Sequence, residues 1–326
     1  MQCTSTNTPV LLIIFNRPDT AKLVFQAIAK ARPTKLYIAA DAPRPGVEGE
    51  DAKCQAARDI VGMVDWDCEV KTLYRETNLG CKLAVSSAVD WLFEHEEEGI
   101  ILEDDCLPAA SFFGYCAELL SRYRDDQRIM MIAGTNIHGQ SADTGSSYYF
   151  SKIMHIWGWA TWKRAWMLND VSMKTFPEFL CSERHEQLFT DRNIGLYWLR
   201  LWLYTYAGRI NTWDYAWVYA CHTNHGLAIA PTRNLISNIG FGSDSTHTKN
   251  VHSKSADIPR HEIKELVHPR HIFCNAEADQ LEYEDLRVYP AKPNPSLKYR
   301  LKRKRRAIKF KRKIDAQLLA TPIRCE

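Results

Sequence analysis

The chain has 326 residues and a net charge of +3, with 45% hydrophobic residues, 25% charged residues and 10 tryptophans. This composition excludes a disordered or fibrous protein and predicts a globular protein with a large core. The longest apolar run covers residues 10 to 15, whereas a membrane-spanning helix needs about 20 residues. The cysteines form no CxxC pair or zinc-like grouping, which favours reduced thiols in a cytoplasmic protein.

Strands alternate with helices in the first third of the chain. Apolar, β-rich runs predict strands at 9–16, 35–40, 68–74 and 99–102, and helical periodicity predicts helices at 20–30, 52–64 and 79–97. A further helix is predicted at 111–123 and a short strand at 129–133. Such alternation requires right-handed crossovers and predicts an α/β fold with a mostly parallel sheet flanked by helices.

Polar side chains follow three of these strands directly. Asn16-Arg17 ends the first, Asp41 the second and Glu103-Asp104-Asp105 the fourth. Ligands of open parallel sheets bind outside the carboxyl ends of the strands, so we expect these clusters to converge on one edge. Three adjacent carboxylates repel one another unless a cation binds, and Mg²⁺ or Mn²⁺ prefers oxygen ligands. The triplet therefore predicts a divalent metal that neutralises a diphosphate; the alternative is a surface turn.

Three other residues near this edge each have two interpretations. Arg17 is either a diphosphate contact or a surface loop residue. Lys82 lies in the first turn of a predicted helix, where backbone donors favour an anion, but an exposed helix lysine fits as well. Asp41 either accepts hydrogen bonds from a base or ribose or caps a turn.

Aromatic residues dominate the middle of the chain, since residues 154 to 219 contain eight of the ten tryptophans. This density predicts an aromatic-rich lobe beside the sheet. The cluster that begins at Trp157 serves either the core or an acceptor platform, and Gly158 would let a ligand approach the backbone.

The last 29 residues are strongly basic. Residues 298 to 326 carry twelve Lys or Arg against two acids, a balance of +10, which leaves −7 for residues 1 to 297. A basic segment with an apolar stripe can lie on an anionic membrane surface. A solvated terminus is the alternative, and nucleic-acid binding is disfavoured because the folded body is acidic.

The order of strands and motifs, with Asn16-Arg17-Pro18, Asp41, Asn78-Leu79-Gly80 and Glu103-Asp104-Asp105, resembles the nucleotide-diphosphosugar transferases of the GT-A (Rossmann-like) fold. Among them it is most similar to the N-acetylglucosaminyltransferase I family, whose metal motif is also Glu-Asp-Asp. The resemblance covers residues 8 to 250. It implies that Arg17 and Lys82 bind the donor diphosphate, Asp41 the uracil or ribose, Glu103 and Asp104 the donor, and Asp105 the metal, Mn²⁺ or Mg²⁺.

The second half resembles the same enzymes in three segments. The segment 156–162, with Trp157 and Trp159, is similar to an acceptor-binding Gly-Trp segment. The segment 213–217 resembles a Trp-Asp-Asp-Trp motif and implies Asp214 as the catalytic base, with Glu183 and Asp191 as rivals. His247 resembles a terminal histidine that approaches the metal.

Together these features predict a metal-dependent, inverting glycosyltransferase. The donor is a nucleotide-diphosphate sugar, UDP-linked, and the acceptor is a glycan or glycolipid in polysaccharide biosynthesis. We expect a cytoplasmic protein, either free or peripheral at the inner membrane face. The predicted division is 1–135 for the nucleotide-sugar-binding half, 136–255 for the acceptor-side and catalytic half, 256–297 for a C-terminal extension and 298–326 for the basic tail. The alternatives are a sugar-phosphate nucleotidyltransferase, although the loop after the first strand lacks the expected glycines, and a non-catalytic carbohydrate-binding protein.

Overall fold

The computed structural model describes residues 7–137, 145–182, 185–241, 258–286 and 288. Ten strands are found in this part of the chain: β1 (Val10–Ile14), β2 (Lys35–Ala40), β3 (Glu69–Tyr74), β4 (Glu98–Glu103), β5 (Cys106–Pro108), β6 (Ile129–Ala133), β7 (Tyr148–Ser151), β8 (Trp159–Trp162), β9 (Leu227–Pro231) and β10 (Ile236–Asn238). The predicted strands of the first third are confirmed within two residues at each end.

The described α-helices also number ten. They are α1 (Pro18–Ala31), α2 (Glu50–Arg58), α3 (Gly80–His95), α4 (Ser111–Arg122), α5 (Lys163–Trp166), α6 (Phe176–Cys181), α7 (His185–Leu188), α8 (Arg192–Tyr206), α9 (Asp214–Thr223) and α10 (Ala276–Asp285). The helix predicted at 52–64 begins two residues earlier and ends at Arg58, where a 3₁₀ helix, Asp59–Met63, continues it.

Eight strands form one mixed sheet in the order β3-β2-β1-β4-β8-β6-β9-β7. Strands β3, β2, β1 and β4 are mutually parallel, as are β6 and β9, whereas β8 and β7 run antiparallel to their neighbours. Six of the eight strands therefore point the same way, and the predicted α/β fold with a mostly parallel sheet is confirmed. Strands β5 and β10 form a separate antiparallel pair.

The first strands end together at one edge of the sheet. Strand β1 is fully buried, as expected for a central parallel strand covered on both faces. Its last residue, Ile14, pairs with Ala40 at the end of β2, and Ile13 pairs with Glu103 at the end of β4. This register brings the residues that follow β1, β2 and β4 to the same edge, as the sequence predicted.

Buried side chains pack on both faces of the sheet. One face carries α3, α8 and α9 and most of the aromatic residues, with Trp159, Trp213 and Trp217 almost fully buried. The tryptophan-rich half adds β6 to β9 to the same sheet. The aromatic cluster therefore forms core on the α3 side of the sheet, beside the edge at which the polar loops meet.

Two further expectations meet the structure here. Seven described cysteines are free thiols, but Cys181 is disulfide-bonded, so the expectation of reduced thiols is wrong for that residue. In the described part of the chain, no helix is both long enough and apolar enough to cross a membrane. The basic tail, 298–326, lies outside the described residues.

Candidate functional site

A cavity of about 940 Å³ opens at the carboxyl edge of β1 to β4. Its volume is within the usual range for small-molecule and cofactor sites. Most of the residues predicted for the site line this cavity: Arg17, Asp41, Glu103, Asp104, Asp105, Trp157 and Asp214. The structure thus brings the acidic triplet and the proposed base to one space, although they are more than 100 residues apart in the sequence.

Arg17 joins two members of the acidic triplet. Its guanidinium donates to Asp105 Oδ2 at 2.7 Å and reaches Asp104 Oδ1 at 3.5 Å. Asp104 also accepts a hydrogen bond from the backbone N–H of Phe15 at 3.1 Å. The loop after β1 and the loop after β4 are therefore held together by charge-assisted contacts at the cavity wall.

The triplet carries more negative charge than Arg17 balances. Burial and the neighbouring Asp105 and Asp104 raise the pKa of Glu103 to about 8, despite the opposing effect of Arg17. Burial and Asp105 likewise raise the pKa of Asp104 to about 7. Both carboxyls therefore resist ionisation without an added positive charge, because like charges in a poorly solvated site disfavour each other's charged form.

These oxygens are the donors that a hard divalent ion prefers, and their crowding is what such an ion would relieve. Within the described ranges, no group of three or more His, Cys, Asp or Glu side chains is arranged to hold a metal. Asp105 Oδ2 makes its contact with Arg17 instead. The donor chemistry fits a divalent ion on Asp105, provided that other ligands complete its shell.

Asp41 binds the protein's own backbone. Its carboxylate accepts hydrogen bonds from the N–H groups of Leu79 (2.9 and 3.1 Å), Gly80 (2.9 Å) and Ala42 (2.9 Å). The side chain is almost buried, at 8% exposure. Of the two interpretations that the sequence left open, these contacts are those of a turn acid, one that holds the start of α3 against the end of β2.

Asp214 is the first residue of α9 and lies on the cavity wall. Its Oδ1 accepts hydrogen bonds from Thr212 Oγ1 and from the backbone N–H of Tyr215. Asp214 also contributes to the raised pKa of Glu103, which places the two carboxylates near each other. Of the rivals for the base, Asp191 caps α8 by accepting from the N–H of Asn193, and Glu183 lies outside the described residues.

The two aromatic residues predicted to bind the acceptor occupy different environments. Trp157 lines the cavity and packs edge-on against Phe241, with ring centroids 5.9 Å apart. Trp159 has no exposed surface and stacks on Trp213 at 5.6 Å. Its predicted role in acceptor binding is corrected here, because a fully buried core side chain has no surface to offer a ligand.

Two predicted ligands remain to be placed. Lys82 lies in the first turn of α3, as predicted, but it is not among the residues that line the cavity. His247 lies outside the described residues. The chain that leads toward it does approach the metal position, since the N–H of Ile239 donates to the backbone carbonyl of Asp105 at 2.8 Å.

The sequence interpretation missed three residues near this site. Arg44 and Arg75 line the cavity, and Glu50 holds Arg44. Glu50 is 3% exposed and accepts hydrogen bonds from the Arg44 guanidinium and from Asn16 Nδ2 at 2.8 Å. The signal for the arginines was present, because Arg44 lies in the loop after β2 and Arg75 directly follows β3.

No family model matches the chain, and no curated protein matches it. Three solved structures show a limited likeness. They are mannosyltransferase PcManGT from Pyrobaculum calidifontis in complex with GDP-Man and Mn²⁺ (12% identity, 48% of this chain and 47% of that chain, TM-score 0.30), UDP-glucose pyrophosphorylase complexed with UDP-glucose (10%, 71% and 93%, 0.39) and 4-diphosphocytidyl-2C-methyl-D-erythritol synthase from Anaerococcus prevotii (12%, 55% and 79%, 0.30). The chain spans about half the length of the mannosyltransferase.

Proposed function

We propose that this protein is a metal-dependent glycosyltransferase that moves a sugar from a nucleotide-diphosphate donor to a glycan or glycolipid acceptor, with inversion. The observation that carries the proposal is the meeting of Arg17, Asp105 and Asp214 on one cavity at the carboxyl ends of the strands. A cation, a metal-binding carboxylate and a separate carboxylate base are the groups that an inverting transfer needs.

The donor end of the cavity would be formed by the loops after β1 and β4. Asp105 would hold Mn²⁺ or Mg²⁺, with His247 as a further ligand, and a bound ion would neutralise charge on the departing diphosphate. Arg17 would turn from Asp105 toward the diphosphate when donor binds. Glu103 and Asp104 would face the ribose or the sugar, and Lys82 would act only at longer range, since it does not line the cavity.

Asp214 would act as the base on the acceptor side. The contacts of its Oδ1 with Thr212 and the N–H of Tyr215 fix the orientation of the carboxylate. From that position it would take the proton of the acceptor hydroxyl while the sugar is attacked from the side away from the diphosphate. Trp157 offers the acceptor sugar an aromatic surface on the same cavity.

Two features favour transfer over the alternatives. The loop after β1 reads Phe15-Asn16-Arg17-Pro18 and lacks the glycines that a nucleotidyltransferase uses to cradle a triphosphate. A non-catalytic carbohydrate-binding protein would have no need of Glu103, Asp104, Asp105 and Asp214 on one cavity, yet all four lie there.

The test is a screen of the full chain against UDP-, GDP-, ADP- and CDP-sugars with MnCl₂ or EDTA, by release of nucleoside diphosphate. We expect metal-dependent turnover with one donor class. Asp105→Ala should abolish it, Glu103→Ala should reduce it less, and the exposed Asp125→Asn should leave it unchanged. Turnover by Asp105→Ala equal to the unsubstituted protein at saturating donor would exclude the metal role. Pyrophosphate release from a nucleoside triphosphate and a sugar phosphate would identify a nucleotidyltransferase instead.

A further inference from the structure

Three arginines line the cavity, and they differ in how their charge is balanced. Arg17 bonds Asp105 and Asp104, and Arg44 bonds Glu50. Arg75 donates to Ser87 Oγ at 2.9 Å, and in the described part of the chain no carboxylate pairs with it. Arg75 is therefore the cavity arginine that can turn its donors to a ligand without first giving up an ion pair.

The side chain and backbone of Arg75 are both held in place. Ser87 lies on α3 one turn beyond Ala84, which also lines the cavity, so the bond to Ser87 keeps the guanidinium along the cavity wall. Arg58 Nη2 bridges the backbone carbonyls of Arg75 and Asp41 at 3.0 and 3.1 Å. This bridge fixes the end of β3 relative to the end of β2.

The position of Arg75 along the sheet indicates which part of a donor it would meet. Strand β3 lies two strands from β1 and three from β4 in the sheet order. With about 4.8 Å between strands, Arg75 is on the order of 10 Å from the Arg17 strand and 14 Å from the Asp105 strand. A diphosphate bound at Arg17 and Asp105 would place its ribose in between and its base at the β3 end.

A hydrogen-bond acceptor accompanies this donor. Asn78 lines the same cavity, and its Nδ2 donates to the backbone carbonyl of Ala42 at 2.6 Å, which leaves Oδ1 as the acceptor of the amide. A guanidinium beside an amide oxygen complements a ring carbonyl next to a ring N–H. Uracil, thymine and guanine present that edge, whereas adenine presents an amino group beside a bare ring nitrogen.

We infer that Arg75, oriented by Ser87, recognises the nucleobase of the donor and selects bases that carry a ring carbonyl beside a ring N–H. This inference rests on the proposed function, because it takes the diphosphate to lie at Arg17 and Asp105. It names the class of nucleotide that the site accepts, and it assigns to the β3 end of the cavity a role in specificity that is separate from the transfer chemistry.

The test measures binding of UDP, GDP, CDP and ADP to the full chain with Mn²⁺, by calorimetry, so that it does not depend on turnover. The unsubstituted protein should bind UDP or GDP at least tenfold more tightly than ADP. Arg75→Ala should remove that preference through a loss of about tenfold or more for the preferred base, with ADP little changed. Ser87→Ala should reduce the preference in the same direction by a smaller factor, and the exposed Arg122→Ala should leave it unchanged.

Arg75→Lys separates base recognition from simple charge. Lysine keeps the charge but loses the planar pair of donors, so the preference should be lost. Full recovery with lysine, or an equal loss for all four nucleotides in Arg75→Ala, would assign Arg75 to the phosphates and overturn the inference while the proposed function stands. If the unsubstituted protein binds none of the nucleotides, both fail. If Arg75→Ala does not fold by circular dichroism, an unchanged preference in Ser87→Ala overturns the inference.

Discussion

Gly240 gives the sharpest test of how the metal-binding carboxylate is supported. A Cβ added at Gly240 would lie 2.7 Å from Asp105 Cβ and Cγ, and closer still to Oδ2. Carbon atoms in contact are normally about 3.5–4.0 Å apart, so Gly240→Ala requires a displacement of about 1 Å. Either Asp105 or the chain at Gly240 must move.

Both movements break a contact of Asp105. A shift of the carboxylate by about 1 Å stretches its 2.7 Å bond to Arg17 beyond hydrogen-bonding distance. A shift of the chain instead breaks the 2.8 Å bond from Ile239 N–H to the Asp105 carbonyl. Since the Arg17 and Asp105 side chains are only 18% and 16% exposed, we expect a loss of about 1–2 kcal/mol of unfolding free energy. Mn²⁺ affinity in the presence of nucleotide should fall at least tenfold, which corresponds to about 1.4 kcal/mol.

Urea unfolding and Mn²⁺ titration with a paramagnetic readout measure the two effects. Gly62→Ala is the matched control, because a Cβ there meets no atom within 4 Å and the backbone is not left-handed. It should keep or slightly raise the stability through a less flexible unfolded chain. Unchanged stability and Mn²⁺ affinity in Gly240→Ala would refute the argument that Gly240 keeps Asp105 in place.

Three further predictions address the base, the loop after β2 and the tail. Asp214→Asn should lower kcat by about 10²–10⁴-fold with little change in donor KM, because only the proton acceptor is lost; an unchanged kcat in steady-state assays would remove Asp214 as the base. Arg44 holds the pKa of Glu50 at about 2, so Glu50→Gln should cost about 1–2 kcal/mol above pH 4.5, discounted because Arg44 is 54% exposed, and the difference should vanish as the pH falls through 2; urea unfolding against pH measures it, and a difference that grew toward low pH would contradict the sign. Deletion of residues 298 to 326 should leave transfer to soluble acceptors intact and weaken salt-sensitive binding to anionic vesicles; equal sedimentation of both proteins with vesicles would exclude the tail as a membrane anchor.

The convergence of the polar clusters could be predicted from the sequence for a simple reason. A parallel strand buried on both faces is an uninterrupted apolar run, so its end is marked where polar residues begin. Val10–Ile14 followed by Arg17, and Lys35–Ala40 followed by Asp41, carry this signal. Because such strands share one direction, their ends meet at one edge, and the position of the site follows from local patterns alone.

The use that each side chain makes of its position depended on contacts between distant segments. Trp157 and Trp159 differ by two residues, yet the antiparallel insertion of β8 between β4 and β6 buries Trp159 while Trp157 remains at the cavity. Asp41 binds the N–H groups of Leu79 and Gly80, 38 and 39 residues away. The support of Asp105 by Gly240 joins segments 135 residues apart. Local periodicity records which face of an element is apolar, but the partner that covers a side chain is set by the strand order, which only the folded chain reveals.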